Sequence, residues 1–171
     1  MTDKQTPEWM GKNAKLTPAE IKEFLAEPVV ARIGTIDENG LPYVTPVWQE
    51  WDGAAFWIVP RERSAWVAHI KKNPNVAISC AQDSGTYKRM TAQGKAEIVF
   101  GPAPMQGQCL DVANRMGVRF LGEHGPEYLV PTYDRPRYLI KIVPTKMLTW
   151  DGVEWARKYS EKQAFAGEAD G

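Results

Sequence analysis

The sequence predicts a mainly β fold, an antiparallel β-barrel with helices attached. Three observations carry that expectation. Short runs rich in β-branched and aromatic residues follow one another through the first hundred residues, separated by tight turn signals. The helical stretches do not alternate regularly with these runs, which argues against a doubly wound parallel sheet. Gly94, inside the longest strand-like run, marks the bulge or sharp bend that a barrel corner needs.

Residues 1–15 are polar and read as a loosely docked arm; the barrel domain is expected over 16–157 and a polar tail over 158–171. Within LTPAEIKEFLAEP, Thr17 is a good N-cap, Pro18 suits the first helical position and Glu20 completes a capping box. The helix should stop before Pro28. Residues 29–36, VVARIGTI, read as a strand, and Asp37-Glu38-Asn39-Gly40 as a turn. Residues 41–51 return as a second strand, with Pro42 and Pro46 at an edge or bulge. Asp52-Gly53 signals a two-residue hairpin into a third strand over 54–59. To this point the pattern is a meander.

A basic loop comes next, with Arg61 and Arg63 just ahead of Ser64, the expected cap of a helix over 64–73. Pro74 ends that helix, and residues 75–81 read as the fourth strand. Asp83-Ser84-Gly85 turns the chain into a long strand over 86–100, broken by residues 101–104. Leu110, Ala113, Met116, Gly117 and Phe120 recur at helical spacing in a helix over 105–122. Residues 123–136 contain three prolines and read as a strap-like loop. Residues 137–143 form the last strand, and a turn at Asp151-Gly152 lies between Trp150 and Trp155.

Composition narrows the function classes. Lysine plus arginine equal aspartate plus glutamate at 21 each, which argues against a general nucleic-acid binder. No apolar run approaches the length of a bilayer span, and the N-terminus has no signal-peptide core. A cytoplasmic location is expected. Cys80 and Cys109 form no CxxC pair, and no Cys/His cluster has metal spacing. Neither standard nucleotide loop is present, and no nucleophile–base or paired-carboxylate motif stands out. That silence suits a protein whose bound cofactor carries the chemistry.

The feature with the clearest chemical meaning is the corner at Arg61, Arg63 and Ser64. A helix N-terminus offers unpaired N–H groups and a favourable dipole, and guanidiniums beside it make an anion site. Lys88 and Arg89 could converge on it if the fourth and fifth strands pair; Lys71 and Lys72 read as solvated. Thr45, Pro46, Val47 and Trp48, set against Trp57, Ile58 and Val59 on the expected hairpin partner, pack a sheet and could wall a flat ring. His69 reads as a helix-surface or packed histidine.

Residues 16–100 resemble the pyridoxamine 5'-phosphate oxidase-like, FMN-binding split β-barrel family. The resemblance rests on LTPAEIKEFL, VVARIGTI with DENGLPYVTPVW, FWIV with PRERSAWVAHIKKNPNVAIS, and YKRMTAQGKAEIV, in that order. IKKNPNVA is the most familiar piece, and RYLIKIVPTKMLTW matches more loosely. The resemblance implies an antiparallel split β-barrel homodimer with a cofactor site at the subunit interface. It implies FMN, or alternatively the deazaflavin coenzyme F-420, acting on a small-molecule substrate; other members bind haem or a flavin without turnover. Carried over by position, Thr45, Pro46, Val47 and Trp48 would lie along the ring. Ile58 and Val59 would meet the ring or ribityl chain, and Ser64 would mark the phosphate corner. Arg89 takes a ribityl- or phosphate-contact position, and residues near Trp150 and Trp155 would reach the partner's site. Ala65 and Trp66 stand where the vitamin-oxidising members carry Arg-Lys, so the phosphate charge falls to Arg61, Arg63, Lys88 or Arg89. The C-terminal Arg-x-His signature of those members is absent, which points to a substrate other than pyridoxine phosphate.

Overall fold

The computed structural model describes residues 15–82 and 87–151. The expected N-terminal arm up to residue 14, the 83–85 turn, Gly152, Trp155 and the polar tail lie outside the described residues.

The first helix, α1 (Pro18–Ala26), has the anticipated capping box: Thr17 Oγ1 accepts from Glu20 N, and the Glu20 carboxylate accepts from Thr17 N. It buries Phe24 and Leu25. Strand β1 (Ala31–Ile36) turns back through Asp37, whose Oδ1 accepts from the backbone of Asn39 and Leu41. Gly40 takes φ 79° there, a conformation that favours glycine.

The 41–51 segment is not one strand. Strand β2 (Pro42–Val47) pairs with β1, and after Trp48 and Gln49 a short β3 (Glu50–Trp51) pairs with β4 (Phe56–Ile58). The β3–β4 connection is a four-residue loop rather than a two-residue one. Asp52 Oδ1 accepts from Ala54 N and Ala55 N, so a side chain closes the turn. The meander expectation fails with it, and Thr45–Trp48 do not face Trp57–Val59 as hairpin partners. The remaining elements are α2 (Ala65–Lys72), β5 (Asn75–Ala81), β6 (Arg89–Ala103), α3 (Gly107–Leu121), α4 (Gly125–Leu129), a 3-10 turn (Val130–Thr132) and β7 (Arg137–Trp150).

All seven strands form one antiparallel sheet in the order β2-β1-β5-β6-β7-β4-β3. Its two edges are β2 and β3, separated in sequence only by Trp48 and Gln49. A sheet whose edges are two residues apart must curl round on itself. Among the described residues no ladder closes the gap, so the barrel is split there. The Gly94 bulge is present as a register shift between Gln93 and Gly94. A Cβ on Gly94 would run into the Val143 carbonyl, and Pro144 sits opposite, where the ladder is already irregular.

Three expectations about the C-terminal half are corrected. Strand β6 runs past Gly101 to Ala103, and β7 runs past Pro144 to Trp150. Both carry their breaker residues at register shifts. The 123–136 strap contains α4 and the 3-10 turn, with Pro126 and Pro131 in first-turn positions, where a missing N–H is harmless.

Strands β4 and β7 divide two cores. Phe56, Ile58, Ile140 and Ile142 face the barrel interior with Ile33, Ile78 and Met90. Trp57 and Leu139, on the alternate face, pack with Cys109, Val112, Ala113 and Met116 of α3 and Leu129 of α4. This period-2 split explains why residues 138–142 of β7 carry apolar side chains on both faces, interrupted only by Lys141. No helix among the described residues is long and apolar enough to cross a membrane.

Candidate functional site

The barrel's split opens into a cleft of about 410 Å³, within the range of small-molecule sites. Its first wall is the end of β2: Thr45, Pro46, Val47 and then Trp48. Trp48 is fixed from behind by Phe120 of α3; the rings stack 5.0 Å apart and 2° from parallel. The linker that carries it is anchored on both sides. Gln49 Nε2 donates to Leu25 O at 3.1 Å, and Arg119 donates to Gln49 O at 2.8 Å. The next residue, Glu50, is buried and accepts from Arg115 Nε and Nη2 at 2.7–3.1 Å. The linker crossing the split is thereby tied to α1 and α3.

The second wall is the end of β4 and the loop that leaves it: Ile58, Val59, Pro60 and Arg61. The third is the helical layer, with Met105, Ala113, Met116, Tyr128 and Leu129. Helix α4 is held against α3 at a backbone contact. A Cβ on Gly125 would collide with the Gly117 carbonyl, so only glycine permits the approach. That contact sets where Tyr128 and Leu129 stand.

One end of the cleft is cationic. Ser64 caps α2 with no side-chain capping bond, leaving first-turn N–H groups and the Ser64 hydroxyl available to a ligand. Beside it, Arg61 and Arg137 are bridge partners between the loop and the start of β7. Like charges directly opposite one another destabilise a sheet. Among the described residues no carboxylate forms an ion pair with either arginine. Arg137 donates from Nη2 to Thr132 Oγ1 at 3.2 Å, but its Nε is buried without a partner among the described residues. Burial, then the neighbouring Arg61 charge, pulls the Arg137 guanidinium below its ordinary pKa. A half-buried Arg137 beside an exposed Arg61, with no ion-paired carboxylate among the described residues and at a helix start, is arranged for an anion.

Nine of the twelve residues expected from sequence meet in this cleft: Thr45, Pro46, Val47, Trp48, Ile58, Val59, Arg61, Ser64 and Trp66. They arrive by a different route from the one anticipated, across the split rather than across a hairpin. Trp66 is mostly core, packed with the barrel interior. Arg63 lies in an adjoining cleft with Arg61, Arg135 and Arg137. Lys88 and Arg89 are elsewhere in the chain's own fold. Strand β5 does pair with β6, but Arg89 opens β6 opposite Trp150, while Ala103 at the other end stands opposite Arg137. Sequence reasoning missed Arg137 and the helical wall. Arg137 is 76 positions from Arg61, and only the β4–β7 pairing brings them together; a basic residue opening the strand that starts RYLI was the available signal. Neither His69 nor His124 lines the cleft. Among the described residues no cluster of His, Cys, Asp or Glu could hold a metal ion.

This architecture has known relatives. The family described as Pyridoxamine 5'-phosphate oxidase matches residues 17–151. The chain belongs to that family. Its fold is shared with an F420 reductase, at 26% identity and TM-score 0.59 over 74% of this chain and 94% of the other. It is shared with a conserved hypothetical protein of Mycobacterium tuberculosis, at 22% identity and TM-score 0.65 over 80% and 85% of the two chains. The haem storage protein HutZ of Vibrio cholerae aligns at 22% identity and TM-score 0.61 over 82% and 98%. No curated protein matches the chain significantly in sequence. The family membership makes the split barrel the expected fold.

Proposed function

We propose that the protein is a flavin-dependent oxidoreductase that binds FMN in the cleft at the barrel split and acts on a small-molecule substrate. The observation that carries the reading is the division of one cleft into an apolar part and a cationic end whose arginines have no ion-paired carboxylate among the described residues. The residues fit a phosphorylated ring cofactor. Val47 and Trp48, with Ile58 and Val59 opposite, would hold the ring. Arg61, Arg137, Ser64 and the α2 N-terminus would hold the phosphate. The bound flavin supplies hydride transfer. The chain's own residues orient the ring, exclude water through Met105, Met116 and Leu129, and neutralise the phosphate. A homodimer with the cofactor site at its interface is the assembly in which Lys88 and Arg89, remote from this corner within their own chain, would reach a cofactor.

A deazaflavin cofactor is the second reading, favoured by the 26% identity with an F420 reductase. The absorbance spectrum of the purified protein, with and without each cofactor, tests both. Flavin bands that shift on binding and bleach on reduction support the first reading, and selective retention of the deazaflavin supports the second. A colourless protein that takes up neither removes both.

A further inference from the structure

Beyond the phosphate corner lies a second cleft of about 210 Å³, lined by Arg61, Glu62, Arg63, Arg135, Pro136 and Arg137. Four arginines meet one glutamate there, in a protein whose charges otherwise balance. Two turns build it. Ser64 N donates to Arg61 O at 3.0 Å, and Arg135 N donates to Thr132 O at 3.1 Å. The turns are stitched together by Glu62 N to Pro136 O and Tyr138 N to Pro60 O, each 3.1 Å, on either side of the Arg61–Arg137 bridge. The backbone thus brings the two turns, and the four arginines they carry, to the lining of one cleft. Neither Glu62 nor Asp134 forms an ion pair with any of them among the described residues. Arg61 and Arg137 line both clefts, so the cationic surface runs on outward from the phosphate corner.

One monophosphate satisfies the inner pair and leaves Arg63 and Arg135, which line the same cleft, without an ion-paired carboxylate among the described residues. Planar guanidinium forks match phosphate oxygens two at a time. We propose that this cleft is a second anion subsite that takes a diphosphate-class group, its inner phosphate at Arg61 and Arg137 and its outer phosphate at Arg63 and Arg135. Two sources share that chemistry: the diphosphate of a flavin dinucleotide, which rests on the flavin reading above, and free diphosphate, which does not.

The test is calorimetric titration of the full chain with FMN, FAD and inorganic diphosphate, on wild type and on R63Q/R135Q. Sodium sulfate at matched ionic strength serves as control. Both arginines are exposed, and the single variants R63Q and R135Q stand in if the double variant fails to fold. FAD should bind about tenfold or more tighter than FMN, and the double variant should lose that margin while FMN changes by about threefold at most. Diphosphate that binds above the sulfate control and is lost in the variant, without a preference for FAD, assigns the subsite to free diphosphate. Diphosphate bound in this way with neither flavin bound removes the flavin reading and leaves the subsite. FMN bound, with no preference for FAD and diphosphate no better than sulfate, removes the subsite and leaves the flavin reading. Indifference of all three ligands to the substitutions removes the subsite alone, and failure of all three to bind removes both.

Discussion

Replacing Arg137 with methionine should move stability and cofactor affinity in opposite directions. The side chain is half-buried, faces Arg61 and has no carboxylate partner among the described residues. Removing it forfeits the 3.2 Å bond to Thr132 Oγ1, a loss of about 1 kcal/mol. It relieves the buried, unpartnered Nε, a gain of about 1–3 kcal/mol, and a like-charge cross-strand pair, a gain of about 0.2–1 kcal/mol. Methionine retains much of the volume and flexes to fill it. The ligand-free variant should therefore be as stable as wild type or more stable, by about 1 kcal/mol, in urea denaturation. Flavin affinity should fall by about 1.5–3 kcal/mol, or roughly 10–150-fold, the loss of a charge-assisted bond to phosphate. Fluorescence titration reads the second quantity on the same preparation. A variant that is destabilised by more than about 2 kcal/mol and binds flavin unchanged would refute the reasoning, because Arg137 would then be a structural residue.

Single contacts carry the other expectations. Gly125→Ala should drive α4 off α3, because its Cβ would meet the Gly117 carbonyl; a loss of about 1–3 kcal/mol in urea denaturation with weakened flavin binding is expected, and wild-type values for both would contradict it. Burial pushes the Asp52 carboxyl up, but hydrogen bonds from Trp57 Nε1, Ala54 N and Ala55 N outweigh it and hold it below the usual carboxylate range. Its stabilising contribution is therefore complete above an unfolded-state pKa of about 3.9 and is lost as pH falls through the lower folded value. Urea midpoints measured from pH 6 down to pH 2.5 should fall less steeply for Asp52→Asn than for wild type; parallel curves would count against the assignment. Burial pushes the Cys80 thiol up to about 12 and the Cys109 thiol up to about 11, so a thiol reagent at pH 8 should label neither in the folded protein and both after unfolding. Rapid labelling of the native protein would show that the cores open.

What the sequence made legible was local. The Thr17–Glu20 box, the Asp37 turn, the Gly94 bulge and the Ser64 helix start each depend on residues within a few positions of one another. The branching of 41–51 was not legible. Nothing in PYVTPVWQEW says that its first half belongs to one edge of the sheet and its last two residues to the other. That division comes from β7 inserting between β6 and β4, a pairing between segments about eighty positions apart. The same long-range pairing hid Arg137 and made Lys88–Arg89 look like the natural complement of Arg61. The 123–136 stretch misled for another reason. Prolines read as loop signals, yet Pro126 and Pro131 occupy helix-opening positions, where proline is compatible with helix. The strand walls of the cleft were readable because residues 45–48 and 58–59 lie close together in sequence, whereas the apolar helical wall was not, and the cationic end was only half readable because one of its two arginines comes from a distant strand.

The central claim is that the cleft at the barrel split holds a flavin by its ring and its phosphate together. Titration of the wild-type protein with FMN and with riboflavin, which differ only in the phosphate, tests it most directly. FMN should bind about 100-fold or more tighter than riboflavin, as expected for two or more charge-assisted contacts, and the gap should narrow in R137M. Equal affinities for the two, or no binding of either, would contradict it.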